Sequence, residues 1–297
     1  MRMVKSNYSK EKTVETTILK AASLALKDPI IEFRLLGGMS NYTYVVKSEG
    51  KLYTVRILGE HADKFVWRHE EKYHLQFFEK LGITSHTIYF DDQTGVKVSE
   101  FIEGQILSHI NPLDHLEEVA NLLHTIHDAK LQSNYDYQLF ERLDQYEKIN
   151  HHLTKEYFDL KNEMIHLYQS HYSKYPHVLI HGDAQPSNFI IGKDKNYIVD
   201  FEFSGNNDPY YDLACFGNID FSHALALLEV YLKKKPTNEA LKRLYYYRIF
   251  QCLQWHLVAK FKHEVGMSET LKIPFDKASL KYLHLALSLK ERYDLID

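Results

Sequence analysis

The residues of this chain that are equipped for chemistry crowd into HVLIHGDAQPSNFIIGKDKNYIVDFEFSGNNDPYYDLACF, positions 177–216. Val178-Leu179-Ile180 reads as a short buried strand that delivers His181, Gly182 and Asp183 into a loop punctuated by Pro186 and ending near Asn188. Phe189-Ile190-Ile191 and Tyr197-Ile198-Val199 form a hairpin across residues 192–196, and its second strand ends at Asp200. Three oxygen-bearing side chains, Asp183, Asn188 and Asp200, are thereby brought to one sheet edge. In that order they suit phosphoryl transfer. One carboxylate takes the proton of an attacking hydroxyl, and separate oxygen ligands hold magnesium, which favours near-octahedral oxygen coordination. Asp183 is the expected proton acceptor, and Asn188 and Asp200 are the expected Mg2+ ligands. Asp and Asn also cap turns for structural reasons alone, but H-G-D, Asn and D-F-E in sequence are more restrictive than any one of them.

The elements that carry these residues can be read outward. Thr13 to Leu26 repeats apolar residues at helical spacing and stops before Asp28-Pro29. Phe33 to Leu36 leads into Gly37-Gly38-Met39-Ser40-Asn41, after which Tyr42 to Lys47 and Leu52 to Leu58 read as two strands. Glycines allow a backbone to approach phosphates, and Ser40 and Asn41 add donors; an ordinary hairpin uses the same residues, so the later motif decides between the two. Alternation along residues 52–57 sets Arg56 between inward apolar neighbours, where a guanidinium reaches nucleotide phosphates. Phe65 to Lys80 is an amphipathic helix carrying Glu70 and Glu71. His86 to Phe90 and Val96 to Phe101 are two more strands, and helical periods dominate after Gly104 apart from the hairpin. Asn111-Pro112 starts a helix through His127, and residues 138–172 read as one long helical region without evident chemistry. His124 and His127 lack a third ligand nearby and are read as packed or surface residues. Asn207 to Ala214 opens a helix whose Asp212 is expected to brace the loop at His181, and helices follow over 221–233, 237–265 and 275–292.

Composition limits the partners. The 297 residues are 44% hydrophobic, enough for a large core, and the formal net charge of -4 argues against nucleic acid, whose phosphates are held by excess Lys and Arg. The two cysteines, Cys215 and Cys252, lie in apolar runs and suit buried thiols in a reducing compartment. No signal-like core opens the sequence and no run of about eighteen apolar residues occurs, so a soluble, cytoplasmic protein with no membrane partner is expected.

The pattern H-x-D-x-x-x-x-N followed by D-F-E resembles the catalytic loop and metal-binding motif of kinases. Together with Gly37 to Asn41, Arg56, Glu71 and Asp208 to Ala214, it resembles the choline/ethanolamine kinase branch of the aminoglycoside phosphotransferase family. The likeness is strongest to bacterial LicA-type choline kinases, through LGGMSN, WRHEEKYHLQFFEKLGI, VKVSEFIEG and FEFSGNNDPYYDLA. It implies an α+β, two-lobed protein kinase-like fold: a small β-rich lobe over residues 1–103, ending in a hinge, and a mostly helical lobe over 104–297. ATP and Mg2+ are the implied cofactors. Ser40, Asn41, Arg56, Glu71, Glu100 and Ile102 would bind nucleotide, with Glu71, three residues after Arg68, preferred over Glu70 as the partner of Arg56. Gln185, Glu202 and Trp255 would meet the substrate, and His181 and Asp212 would support the loop. The implied substrate is a small amino alcohol, choline first, with ethanolamine, an aminoglycoside or another small alcohol as alternatives; oligomeric state stays open. Val258, where a second Trp is usual, and Ile219, where an acidic residue is usual, depart from the branch, and Asp220, Phe261 or Tyr211 are the residues placed to compensate.

Overall fold

The computed structural model of the chain describes residues 2–35 and 41–297, so the glycine-bearing turn expected over residues 37–41 lies, Ser40 included and Asn41 apart, outside the described residues. Helix α1 (Arg2–Ala22) begins well before the apolar repeat at Thr13, as nothing in residues 2–22 is Gly or Pro to stop it. Strands β1 (Ile30–Leu35), β2 (Asn41–Ser48) and β3 (Lys51–Leu58) follow, then helix α2 (Arg68–Lys80) and strands β4 (Thr87–Phe90) and β5 (Lys97–Glu100). They form one antiparallel sheet in the order β1-β2-β3-β5-β4. Glu49 and Gly50 both adopt positive φ (48° and 83°), as the two-residue turn of the β2–β3 hairpin requires.

The period of two sorts this sheet into an apolar and an ionic face. Tyr44, Val46, Val55, Ile57 and Val98 bury themselves against Ile18, Ala21 and Ala22 of α1. Arg56 therefore points the other way, and Lys97 lies directly opposite it in the β3–β5 register. Strand β6 (Gln105–Ile106) comes next; a 3-10 turn at Pro112–His115, capped by Asn111, precedes α3 (Leu116–His127). The region 138–172, read as one helical stretch, is divided into α4 (Leu139–Lys148) and α5 (Lys155–Leu167). The break is built from His152 at φ 53° and Thr154, whose hydroxyl accepts from the Tyr157 N–H at 3.4 Å as an N-cap.

Along the chain, strand β7 (Val178–Ile180), the hairpin β8 (Phe189–Ile191) and β9 (Asn196–Ile198), and strand β10 (Gly205–Asn207) alternate with the loops that carry Asp183, Asn188 and Asp200. β8 pairs with both β6 and β9, and β7 pairs with β10. Helices α6 (Tyr210–Cys215), α7 (Phe221–Leu232), α8 (Asn238–Glu264), the short α9 (Met267–Leu271) and α10 (Phe275–Asp294) complete the chain. From Ile249 to Leu257 every residue of α8 except Trp255 is buried, which marks it as a core helix and not a surface one. The chain forms two compact units: residues 1–110 with 187–202, and residues 111–186 with 203–297.

Candidate active site

In the first unit, polar chemistry collects on the ionic face of the sheet. Arg56 donates to both carboxylate oxygens of Glu71, at 2.6 and 2.9 Å, in the fork geometry that only a guanidinium provides. Arg68, one turn earlier on α2, donates to Glu71 at 2.7 Å and to Glu202 at 2.9 Å, and Lys97 reaches Glu71 at 3.4 Å. Burial alone would push the Glu71 carboxyl up, but Arg56, then Lys97 and Arg68, outweigh it and hold Glu71 well below the usual carboxylate range. Asn41 donates to Glu202 at 3.0 Å and accepts from Arg68, so the residue that begins β2 joins the same network.

Asp200 stands at the edge of this cluster with its carboxylate 3.7 Å from Arg56. Its φ of 71° is in the left-handed region, where Asp is tolerated at some cost. Burial first and Glu202 second push its carboxyl up, against the pull of Arg56. Asn188 is buried, and its carbonyl accepts from the Val199 N–H at 2.9 Å, which ties the loop before β8 to the end of β9. Glu100 and Ile102 lie on the wall of a cavity of about 660 Å³ shared with Glu79, His86, Lys193 and Tyr197. Neither Arg56, Asn188 nor Asp200 lines that cavity, so the ionic cluster and not the cavity marks the chemistry of this unit.

In the second unit, the loop after β7 is fixed from below by one buried carboxylate. Asp212 accepts from the backbone N–H groups of His181 (2.9 Å) and Gly182 (2.8 Å), and it lies 3.0 Å from Nε2 of buried His127. His181 Nδ1 accepts from the Asp183 N–H at 3.1 Å, which places the ring proton on Nε2. Gly182 has φ 81°, and a Cβ there would overlap the carbonyl oxygen of Phe203, so both the conformation and the space demand glycine. Gln185, expected on the substrate, has its amide engaged at both ends: it donates to Asp183 Oδ2 at 2.9 Å and accepts from Asn218 at 2.8 Å. Trp255 is half-buried on α8, with its ring edge-on to Phe203 at 6.2 Å between centroids. Of the residues placed to compensate for Val258 and Ile219, Tyr211 and Phe261 are buried, whereas Asp220 is exposed and caps α7 by accepting from the Ser222 N–H.

Lys97, Asn218 and Arg248 join these networks without having been expected to, and His127 does so in place of a purely packing role. Lys97 sits two residues before Ser99 on an alternating strand, and Arg248 is a lone charge within an apolar helical run; both patterns signal a buried cation. His127 was set among packed or surface histidines, and its partner Asp212, 85 residues away, could not be read from spacing.

A five-stranded antiparallel sheet carrying a helix-borne Glu on a strand-borne cation, with a mostly helical second unit, is the architecture of a protein kinase-like phosphotransferase. A family model for phosphotransferase enzymes matches residues 33–239, and the chain belongs to that phosphotransferase enzyme family. Protein LicA of Haemophilus influenzae is 26% identical over 278 residues, covering 88% of this chain and 80% of that protein. The crystal structure of choline kinase LicA from Streptococcus pneumoniae aligns with a TM-score of 0.74 at 25% identity over 93% of this chain and 97% of that one. A LicA structure in complex with AMP aligns with a TM-score of 0.76 at 25% identity, over 94% and 98% of the two chains. Among the described residues no helix is long and apolar enough to cross a membrane.

Proposed function

We propose that this chain transfers the γ-phosphoryl group of ATP to the hydroxyl of a small cationic amino alcohol, choline being the preferred one. The observation that carries the reading is the buried two-pronged Arg56–Glu71 pair with Asp200 at 3.7 Å, a fixed cation beside an oxygen ligand. Arg56, held flat by Glu71, binds nucleotide phosphates without having to be ordered at the moment of reaction. Glu100 and Ile102 supply hinge backbone groups for the base, and Asn41, at the start of β2, supplies a polar group on the nucleotide side of the sheet, as Ser40 is expected to do. Asp183 accepts the substrate hydroxyl proton as the oxygen attacks phosphorus.

The chemistry of the donor set fits magnesium. Among the described residues no three His, Cys, Asp or Glu side chains gather into a dedicated cage, and Mg2+ in such sites is held by one or two side-chain oxygens with the rest from phosphates and water. Asp200, whose ionisation is opposed by burial and by Glu202, is a carboxylate that a cation would relieve. Asn188 and Asp200 are the residues that would hold the ion, which supplies neutralising charge at the phosphates. The half-buried face of Trp255, beside Phe203, offers the aromatic wall that a quaternary ammonium prefers, and Gln185 and Glu202 are the proposed polar contacts of that substrate.

Coupled ADP release measured with Mg-ATP over choline, ethanolamine and kanamycin tests the reading. Choline is expected to give the highest kcat/KM, with ethanolamine next. Ethanolamine ahead of choline would transfer the assignment to the primary amine, which relies on carboxylates in place of an aromatic face. Turnover of kanamycin alone would remove the amino alcohol altogether.

A further inference from the structure

Arg248 is fully buried in α8, yet no ion pair among the described residues includes it. Its guanidinium donates instead to oxygens of neutral groups: Nη2 to the backbone and side-chain oxygens of Asn218, at 3.2 and 3.3 Å, and Nη1 to Oε1 of Gln251 at 3.2 Å. A guanidinium can only donate, so the facing ends of Asn218 and Gln251 must be their carbonyl oxygens. That choice propagates. With its oxygen turned to Arg248, Asn218 presents its NH2 to Gln185 Oε1 at 2.8 Å, and Gln185 presents its own NH2 to Asp183 Oδ2 at 2.9 Å. The second branch is oriented in the same way: Gln251 donates to the Tyr211 carbonyl at 2.8 Å and to Cys215 Sγ at 3.1 Å, on the short helix that carries Asp212. Every member of both branches belongs to the second unit.

We infer that Arg248 and Asn218 are positioning residues for Asp183, acting through Gln185: the buried charge sets the sense of two amide side chains, and the last of them holds the carboxylate in its plane and in its anionic form. The role rests on the reading of Asp183 as proton acceptor. An amide is nearly symmetric in shape, and either end fits the space between Asn218 and Asp183. Reversed, Gln185 would set Oε1 against Asp183 Oδ2, two acceptors at hydrogen-bond distance, and the carboxylate would rotate away or take up a proton. A relay that begins at a group unable to accept removes that alternative. Gln185 thereby gains a second reading, as the orienting donor of Asp183.

Arg248 is too deeply buried for its own replacement to be read cleanly, so the test falls on Asn218. Asn218→Asp keeps the shape and offers only acceptors, so it forces Gln185 to turn its NH2 away from Asp183. Asn218→Ala merely releases Gln185. The relay predicts that Asn218→Asp lowers kcat by about 10- to 100-fold and that Asn218→Ala lowers it by only about threefold, with KM for ATP within about twofold of the parent in both. In a Gln185→Ala background, Asn218→Asp should have no further effect on kcat, a non-additivity that loss of packing does not produce. An aspartate no worse than alanine, or an aspartate effect that survives removal of Gln185, overturns the relay. If the parent protein turns over none of the alcohols, the proposed function fails by itself, and the relay is read by NMR. The Gln185 side-chain amide signal, identified by its loss in Gln185→Ala, should then move in both Asp183→Asn and Asn218→Asp, and a signal that ignores either change overturns the relay.

Discussion

At the scale of single residues, two carboxylates carry separate predictions, Asp183 for the proposed chemistry and Glu71 for architecture. Asp183 is positioned by backbone bonds at its own N–H and at the two residues before it, so Asp183→Asn keeps the loop while removing the proposed base. Turnover should fall by about 10²- to 10⁴-fold with KM for ATP nearly unchanged, and steady-state kinetics showing near-parental kcat would remove the assignment. Glu71 is different, since three cations meet on it in a buried setting. Glu71→Gln leaves Arg56, Arg68 and Lys97 short of counter-charge, and breaking such a cluster from one side costs about 3 to 5 kcal/mol. Urea denaturation should show a loss of that order, and a change below about 1 kcal/mol would mean that the cluster relaxes into water. The R-x-x-E spacing had singled out Glu71. Nothing in the sequence told that Arg68 reaches on to Glu202, since 134 residues separate them and such pairings are fixed by tertiary packing alone.

At the scale of elements, legibility followed the strength of the period. The β2–β3 hairpin, β7 and the β8–β9 hairpin stand where alternation and short apolar runs put them, within a residue or two. Strand β10 went unread because Gly205-Asn206-Asn207 has no strand-forming residue: it pairs by backbone alone, with Asn206 further fixed to Ser133 and Asp136. The division of residues 138–172 was likewise hidden, because the apolar positions of α4 and α5 are in phase with one stripe and only the cap at Thr154 marks the joint. Helix α2 holds a consequence of its packing that a pH titration can reach. His74 is fully buried on it, and burial first and His69 second lower its pKa from the ordinary 6.5 to about 4. The unfolded chain therefore binds the extra proton between pH 6.5 and 4, so stability is complete above about 6.5 and is lost as pH falls towards 4. Between pH 7 and 5 the loss due to His74 should be about 2 kcal/mol in urea midpoints corrected by their slopes. His74→Gln should remove that part of the dependence, and an unchanged pH profile would assign it to other groups.

At the scale of the molecule, the order of segments along the chain and their grouping in space do not coincide. The first unit takes residues 1–110 and then recovers 187–202 from much later in the sequence. This return is structural as well as chemical. Strand β6 finds its only named strand partner among the described residues in β8, Phe201 stacks on Phe78 of α2 with centroids 4.1 Å apart, and Ile198 donates its N–H to the Ile83 carbonyl at 2.9 Å. Phe189, Ile198 and Phe201 are each buried to within 1% of complete. A fragment ending at residue 110 would thus expose Phe78 and leave β6 unpaired, and the loss of one buried Phe contact set alone is worth about 3 to 5 kcal/mol, comparable to the whole stability of a small domain. Residues 1–110 expressed alone should show no cooperative thermal transition by far-UV circular dichroism. The same fragment joined through a Gly/Ser linker to residues 187–202 should recover one, because a flexible linker of modest length adds little closure entropy. A sharp transition in the shorter fragment would show that the sheet and α1 suffice. Recovery by the longer one, and its loss again on Phe201→Ala, would place the stabilising contact on the same segment that bears Asn188 and Asp200, so that the unit cannot fold without bringing the two proposed oxygen ligands with it.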